Sequence, residues 1–425
     1  SAKETRVGDT SEGMIIVSNK SVITSKVGYV GYSNGSLGSV MVKDTGSKWT
    51  HDGYYYVGNS GQGNVEVSNG GVIETKNHMY IGRNTTGTGT VIIKGSGSIL
   101  KMLSSKYLYV GNSGDGTLRI EDGGYVENHY GYVGNSATGK GEVEVKGAGS
   151  EWRNTYDTTI GHNSLKDNKV TIKEGGLVSI KNNRYLYIGY QGKGSVSIEG
   201  EGSKLESKYI YAGDRTNGKG EITIKEGGSL NTTELRLGGS YNSAGIATMN
   251  IEGMSSKVEV STIYVGYKGK GVVTQVGGSI EFSSKLYLGY SGTSSRGDYI
   301  LSGGRLTGPD MEKIKGYSFK WTGGELAIAS INFGVTNEGG VMNPGQSTGV
   351  TDIKGNYSQN EDSTLKIEIG GPRFTFHRGQ VREYDQLYVR GSIQVSGNLE
   401  VVLVDEFEPS QNYVDKGPYR FKIMS

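Results

Sequence analysis

The sequence predicts an all-β protein, a right-handed parallel β-helix that ends in a C-terminal cap of β-strands. An aromatic-aliphatic-glycine tripeptide recurs about every 26 residues, as at Tyr56-Val57-Gly58 and Tyr109-Val110-Gly111. Between these tripeptides the apolar residues alternate with period two, which indicates strands. A unit this short, with about three strands, can pair its strand edges only with the same strands of the next unit. Stacked parallel coils satisfy that requirement.

A second pattern doubles the period. Gly-Gly turns such as Gly123-Gly124 alternate with Gly-Ser pairs such as Gly149-Ser150, so the true repeat is a pair of coils of about 52 residues. One apolar residue follows each of these turns at an equivalent position. We expect these residues to stack as a buried column: Trp49, Ile73, Leu100, Val126, Trp152, Val178, Leu205, Leu230, Val258 and Ile280.

The decay of the repeat divides the chain into four regions. We expect N-terminal capping strands over residues 1–26 and a repeat region of about 11 coils over 27–304. Irregular transition coils are expected over 305–342, and the C-terminal cap over 343–425. No charged-then-apolar leader opens the sequence at Ser1, which favours a mature fragment.

Composition narrows the function classes. The 425 residues include 72 Gly and no Cys, which excludes disulfides and cysteine-based metal sites, and the net charge of +2 does not favour a nucleic-acid partner. The histidines fall at unrelated repeat positions, so we expect them in solvent-exposed turns: His51, His78, His129, His162 and His377. No catalytic triad or metal-ligand spacing emerges. We therefore expect a protein that is not an enzyme and holds no metal or cofactor.

The last quarter of the chain carries the most diagnostic motifs. They are Pro-Gly-Gln-Ser at 344–347, Gly-Asn-Tyr-Ser-Gln at 355–359, Asp-Gln-Leu-Tyr-Val at 385–389 and Gly-Asn-Leu-Glu-Val at 397–401. This succession resembles the end of type V secretion autotransporter passenger domains. Upstream, the Tyr-Val-Gly-Asn-Ser-Gly copies at 56–61 and 109–114 resemble the repeats of pertactin-like, adhesin-type passengers.

The resemblance implies a function and a location. It implies a monomeric rod at the bacterial cell surface or outer membrane, or released from it, whose precursor carries its own outer-membrane β-barrel translocator. It implies an adhesin or virulence factor that contacts a host cell-surface or extracellular-matrix protein or glycan. Host antibodies are further expected partners, with antigenic variation and immune evasion. A cohaemolysin or toxin-like passenger is the alternative, and a polysaccharide-active β-helix enzyme the third.

One candidate ligand surface is a row of outward tyrosines. Because the residues flanking each tyrosine in its strand point inward, the tyrosines must point outward. Aromatic stacking across strands would explain the row structurally, and a platform of exposed rings for glycans or host proteins would explain it functionally. The row comprises Tyr29, Tyr56, Tyr80, Tyr109, Tyr132, Tyr187, Tyr211, Tyr264 and Tyr287.

The second candidate is the tripeptide Arg296-Gly297-Asp298. It follows a Ser/Gly-rich segment, so we expect it in an exposed turn, where it would present an integrin-type motif. A chance match in a glycine-rich chain is the alternative explanation.

Overall fold

A computed structural model describes residues 2–103, 105–240, 245–345, 348–371, 383–404 and 423–424. In these residues the protein is all-β, without a helix, and forms a parallel β-solenoid of about 14 turns. The predicted fold class is therefore confirmed. None of the described segments is a helix long and apolar enough to cross a membrane.

The N-terminal half of the solenoid consists of short strands. They are β1 (Ala2–Val7), β2 (Glu12–Val17), β3 (Val22–Val30), β4 (Leu37–Lys43), β5 (Lys48–His51), β6 (Tyr55–Val57), β7 (Gln62–Ser68), β8 (Val72–Thr75), β9 (Met79–Ile81), β10 (Thr88–Lys94), β11 (Ile99–Met102), β12 (Tyr107–Val110), β13 (Asp115–Glu121), β14 (Tyr125–Asn128), β15 (Tyr130–Val133), β16 (Lys140–Lys146), β17 (Glu151–Asn154), β18 (Thr158–Ile160), β19 (Asp167–Lys173), β20 (Leu177–Ile180), β21 (Tyr185–Ile188) and β22 (Lys193–Glu199).

The C-terminal half begins with longer strands. They are β23 (Lys204–Ala212), β24 (Lys219–Lys225), β25 (Ser229–Leu237), β26 (Ile246–Ile251), β27 (Lys257–Val265), β28 (Lys270–Leu288), β29 (Arg296–Lys313), β30 (Tyr317–Ile331), β31 (Val335–Asn337), β32 (Val341–Met342), β33 (Val350–Ile353), β34 (Tyr357–Gln359), β35 (Thr364–Ile369), β36 (Gln386–Val389), β37 (Ile393–Val395) and β38 (Asn398–Leu403).

Each regular coil contributes one strand to each of three faces. The coil of β16, β17 and β18 is typical: β16 lies on the first face, β17 on the second and β18 on the third. Each pairs in parallel with its counterpart in the coils before and after, as β17 does with β14 and β20. Every residue therefore lies beside its repeat equivalent, about 4.8 Å away along the axis.

The predicted buried column runs along the second face. Val126 lies opposite Trp152, which lies opposite Val178, and the pairing continues through Leu205 and Leu230. Every predicted member of this column is at most 2% exposed. The period-two alternation thus fixed both the strand register and the side facing the core.

Trp152 in this column is accommodated by a glycine in the preceding coil. A Cβ on Gly131 would lie 3.1 Å from a ring carbon of Trp152, because the indole extends beneath that position. The buried indole N–H donates to Asn128 Oδ1 at 2.7 Å, and Trp49 donates in the same way to Ser25 Oγ at 2.9 Å. Polar residues inside the solenoid thus satisfy the tryptophan donors.

Hydrogen bonds at the corner between the first and second faces explain the two-coil repeat. In Gly-Ser coils the buried Ser150 Oγ donates to Lys146 O at 2.6 Å and accepts from Gly123 N, in the Gly-Gly coil before it, at 3.0 Å. Both bonds recur at Ser98, Ser203 and Ser256. We call this arrangement the serine staple, and it joins coils in pairs.

Toward the C-terminus the corners open into continuous strands. β23, β25 and β27 each span the second and third faces, and β28, β29 and β30 continue through all three, with register shifts at their corners. In the described part of the predicted cap the strands pair in parallel: β35 and β38 continue the second face after β32, and β33 and β36 lie on the third. A separate three-stranded sheet contains β31, β34 and β37. The predicted domain boundaries remain predictions.

Two cap motifs can be located. Asp385, the first residue of the Asp-Gln-Leu-Tyr-Val motif, accepts from the backbone N–H groups of Gly349 and Glu368 at 2.7 and 2.8 Å, and so joins two faces of the solenoid. In the Pro-Gly-Gln-Ser motif, Gln346 and Ser347 lie outside the described residues, as does His377.

The serine staple can be tested by Ser150→Ala. The change leaves the Gly123 N–H and the Lys146 carbonyl without this partner at a buried corner, so we expect unfolding free energy to fall by roughly 1–3 kcal/mol. Chemical denaturation followed by circular dichroism measures it. Ser229→Ala, on the half-buried outer side of β25, is the control and should change stability by less than about 0.5 kcal/mol. Equal losses in both variants would refute the staple.

Candidate functional site

The tyrosine row lies on the third face. Tyr29, Tyr56 and Tyr80 are partners in adjacent strands, and Tyr109 and Tyr132 continue the same register. Thr159 then takes the position, and Tyr187 and Tyr211 follow. Arg236 interrupts the row once more before Tyr264 and Tyr287.

The rings of the row stack on one another along the axis. Tyr80 and Tyr109 have centroids 4.7 Å apart and planes inclined by 10°, and Tyr264 and Tyr287 lie 5.0 Å apart at 9°. At the interruption, the Arg236 guanidinium lies 4.5 Å from the Tyr211 ring and its Nε lies 2.8 Å from Glu234 Oε1. The row thus consists of stacked groups that are broken at Thr159, and at Arg236 a cation takes the place of a ring.

Stacking corrects the expectation of an exposed aromatic platform. None of the nine rings is exposed: seven are half-buried, and Tyr56 and Tyr211 are only 6% exposed. From Tyr29 to Tyr132, and again from Tyr264 to Tyr287, each ring covers the face of its neighbour, because the coil spacing is close to the stacking distance. The outward-facing part of the column is therefore its hydroxyl edge, not its ring faces.

The hydroxyls in this column stay protonated over a wide pH range. Burial, the largest cause, raises the pKa of Tyr56 to about 12 and that of Tyr264 to about 12, and it raises the pKa of Tyr109 further. Neutral phenols can donate hydrogen bonds. The third face therefore offers a column of donors along the rod.

A second aromatic row, two residues before the first, escaped the sequence analysis. Tyr107 and Tyr130 are strand partners with rings 4.7 Å apart, and so are Tyr185 and Tyr209. His78 continues this row, 4.8 Å from Tyr107. The Tyr-x-Tyr pattern at each of these strands is the sequence signal that could have revealed it.

The tripeptide Arg296-Gly297-Asp298 does not lie in a turn, and that prediction was wrong. It is the start of β29, paired with β28 on one side and β30 on the other. A Cβ on Gly297 would lie 2.1 Å from Val265 O, so only glycine fits the close approach. The Asp298 side chain is 14% exposed and accepts from Arg296 Nε at 2.9 Å.

The same strand-opening pattern occurs elsewhere in the solenoid. β16 opens with Lys140-Gly141-Glu142, where Lys140 Nζ lies 2.8 Å from Glu142 Oε1. The tripeptide at 296–298 is thus one copy of a cation-glycine-anion element of the repeat.

The expectation of exposed histidines was also wrong. His51 is 0% exposed and lies inside the solenoid, its ring stacked 4.0 Å from that of Tyr55. His78, His129 and His162 are half-buried beside tyrosines. Among the described residues, no group of His, Asp or Glu is arranged to hold a metal ion.

Surface depressions occur on the first face. One of about 390 Å³ is lined by side chains of β19, β22, β24 and β26, among them Lys193, Lys219 and Glu221. Another, of about 280 Å³, lies over β13, β16 and β19 and includes Arg119 and Glu144. Both are shallow grooves over in-register polar side chains.

His51 makes the rod sensitive to acid. Burial lowers the pKa of its imidazole to about 3, so the unfolded chain binds this proton more tightly than the folded chain does. Stability is lost as pH falls from about 6.5 toward 3, by roughly 3 kcal/mol at pH 4. We expect the melting temperature of His51→Asn to fall less between pH 7 and 4 than that of the parent.

Thr75→Asn is the matched control, because Thr75 is the strand partner of His51 in the next coil. It should retain the parent's acid sensitivity. Thermal melting at both pH values, followed by circular dichroism, measures the drop. A drop of equal size in His51→Asn would show that His51 does not cause it.

Comparison with known proteins gives distant relatives. No family model matches the sequence. The chain is 32% identical over 216 residues to the uncharacterized lipoprotein YdeK of Escherichia coli K12, which covers 49% of this chain and 14% of YdeK. It is 26% identical over 179 residues to the uncharacterized protein YuaQ of the same organism, covering 37% and 13%. The chain thus spans only a small part of these relatives' length.

One solved structure can be superposed over most of the chain. It is a TibC-catalyzed, hyper-glycosylated TibA fragment, with a TM-score of 0.40 and 14% sequence identity, covering 90% of this chain and 97% of the fragment. Similarity at this level gives no information on function.

Proposed function

We propose that this chain is the rod of an autotransporter-type surface protein and acts as an adhesin toward host cells or extracellular matrix. The observation that carries the proposal is the third face, where the same outward chemistry recurs in nearly every coil. A single ligand pocket needs convergent side chains. A face that repeats one set of donors along its length suits an extended or multivalent partner.

Repetition also supplies the energetics of such an adhesin. Each coil offers only a hydroxyl edge and its neighbours, which is a weak contact. Many such contacts on one rigid rod become strong together, because each one formed raises the effective concentration for the next. A host glycan or matrix protein with its own repeats fits this mode, and binding rather than catalysis is the activity we propose.

Location at the cell surface, or release from it, is part of the proposal. Support comes from the motifs of the C-terminal region, which resemble autotransporter passengers, and from the name lipoprotein carried by YdeK, which is typical of the bacterial envelope. On this proposal the precursor's own outer-membrane translocator and host antibodies are further partners, and the rod is monomeric. Virulence and immune evasion would follow from sequence variation among the exposed residues of the corner turns.

Removing hydroxyls without removing rings tests the proposal. The triple variant Tyr80→Phe, Tyr109→Phe and Tyr132→Phe keeps the stacked column but removes three neighbouring donors. We expect a melting temperature within a few degrees of the parent and roughly tenfold weaker binding of the purified rod to cultured epithelial cells or matrix proteins.

Two further variants of the protein serve as controls in this experiment. The triple Tyr109→Ser, Tyr187→Ser and Tyr211→Ser removes rings as well, and should lower both stability and binding. Tyr125→Phe, on the outer side of the second face, should bind like the parent. Unchanged cell binding by the Phe triple would contradict the proposed role of the third face. Lysis of erythrocytes, with or without sphingomyelinase, would favour a cohaemolysin.

A further inference from the structure

One corner of the solenoid carries a column of three cations and two aromatic rings that the tyrosine rows do not explain. The position three residues before each row tyrosine lies at the corner between the second and third faces. In five consecutive coils it holds residues that we call the basic corner: Lys106, His129, Tyr156, Arg184 and Lys208. Backbone bonds from Tyr130 N to Lys106 O and from Tyr156 N to His129 O hold successive corners in line.

The side chains of the basic corner form a stacked edge. The His129 and Tyr156 rings lie 4.9 Å apart at 19°, and the Arg184 guanidinium lies 3.6 Å from the Tyr156 ring centroid. Lys208 lies 5.4 Å from the Tyr209 ring. All five residues are half-buried, so their positions are constrained while their outer atoms reach solvent.

Charge at the basic corner is largely uncompensated within the described residues. Most cations on the first and second faces form ion pairs, such as Lys140 with Glu142, Lys173 with Glu144 and Lys101 with Glu127. Lys106, Arg184 and Lys208 form no ion pair with a described residue. Of the nearby acids, Glu206 pairs with Lys181 and Lys204, and Asp157 accepts from Tyr185 N at 3.1 Å and forms no ion pair with these three cations.

From this geometry we infer that the basic corner, with the hydroxyl edge beside it, binds a linear acidic polysaccharide running along the rod. A straight column over five coils fits an extended chain, and its cations fit carboxylate or sulfate groups. Tyrosine hydroxyls next to it fit a ligand rich in hydroxyls.

A single-stranded nucleic acid fits less well. Such ligands stack their bases on free aromatic faces. Here the ring faces are closed by Tyr–Tyr, His–Tyr and Arg–Tyr stacking. The inference rests on the proposed adhesin function and names the ligand class for the same side of the rod.

Binding of the purified full chain to immobilised heparin and to hyaluronan tests the inference, with neutral dextran and oligothymidylate as comparison ligands. Heparin supplies sulfates as well as carboxylates, and hyaluronan only carboxylates, so the two distinguish the anionic group. We expect binding to at least one of them that weakens as salt rises, and no binding to dextran.

Charge-removing variants test whether the acidic glycan binds at the basic corner. The basic-corner triple variant carries Lys106→Gln, Arg184→Gln and Lys208→Gln, and it should weaken binding roughly tenfold or more. The control triple variant removes the same charge from the first face, by Lys140→Gln, Lys173→Gln and Lys193→Gln. It should change binding less than about twofold. Lys106→Gln with Lys208→Gln keeps the Arg184–Tyr156 stack, and serves if the triple variant misfolds. It should still weaken binding several-fold.

Three results would overturn the inference: no binding to either acidic glycan, equal loss in both charge triples, or equally tight binding of oligothymidylate through the same corner. A rod that binds cells but neither glycan would refute this inference alone. A rod that binds acidic glycans but not cells or matrix would refute the adhesin proposal alone.

Discussion

Parallel, in-register pairing of each coil with the next is the constraint on which the whole molecule depends. A short coil cannot satisfy its own strand edges, so every backbone donor and acceptor in its strands is directed along the axis. Register then forces repeat-equivalent side chains to lie about 4.8 Å apart. Buried columns, tyrosine stacks, serine staples and the basic corner are four results of this single rule.

In-register pairing also places residues of the same type in one column, so that each face of the solenoid has a uniform chemistry. Aliphatic residues in register fill the interior, and tyrosines in register stack, because the coil spacing is near the contact distance of aromatic rings. Ion pairs also follow it: Lys101 meets Glu127 of the next coil on the second face. A residue's role in this protein is therefore decided mainly by its column and only secondarily by its own coil.

Sequence periodicity predicted most of the fold for that reason. Alternation assigned Trp152 and Val178 to the core and Tyr109 to the outside, as found. Local composition is a poorer guide to this fold than position within the repeat. Arg296 was assigned to a turn because Ser and Gly precede it, although Lys140 opens an equivalent strand. The histidines share no repeat position, which favours exposed turns, but the inward place of His51 follows from its column with Ser25 and Thr75.

Ring orientation could not be obtained from the pattern, since it depends on the distance between coils as well as on which side a residue faces. At that distance the tyrosine rings cover one another's faces, and only their hydroxyl edges reach solvent. The cations at the neighbouring corner, in contrast, form no ion pair with a described residue. The solvent exposure of a side chain in a solenoid thus depends on the side chains at the same position in the neighbouring coils.

The serine staple also limits how such a rod can change in length. Insertion of one Gly-Gly coil would place two Gly-Gly corners side by side, and the first would lack the serine hydroxyl of the next coil that its glycine N–H requires. Insertion of two coils restores the alternation and costs nothing at the corner. Growth and shrinkage of this molecule during evolution should therefore proceed in steps of about 52 residues, by duplication or loss of whole coil pairs.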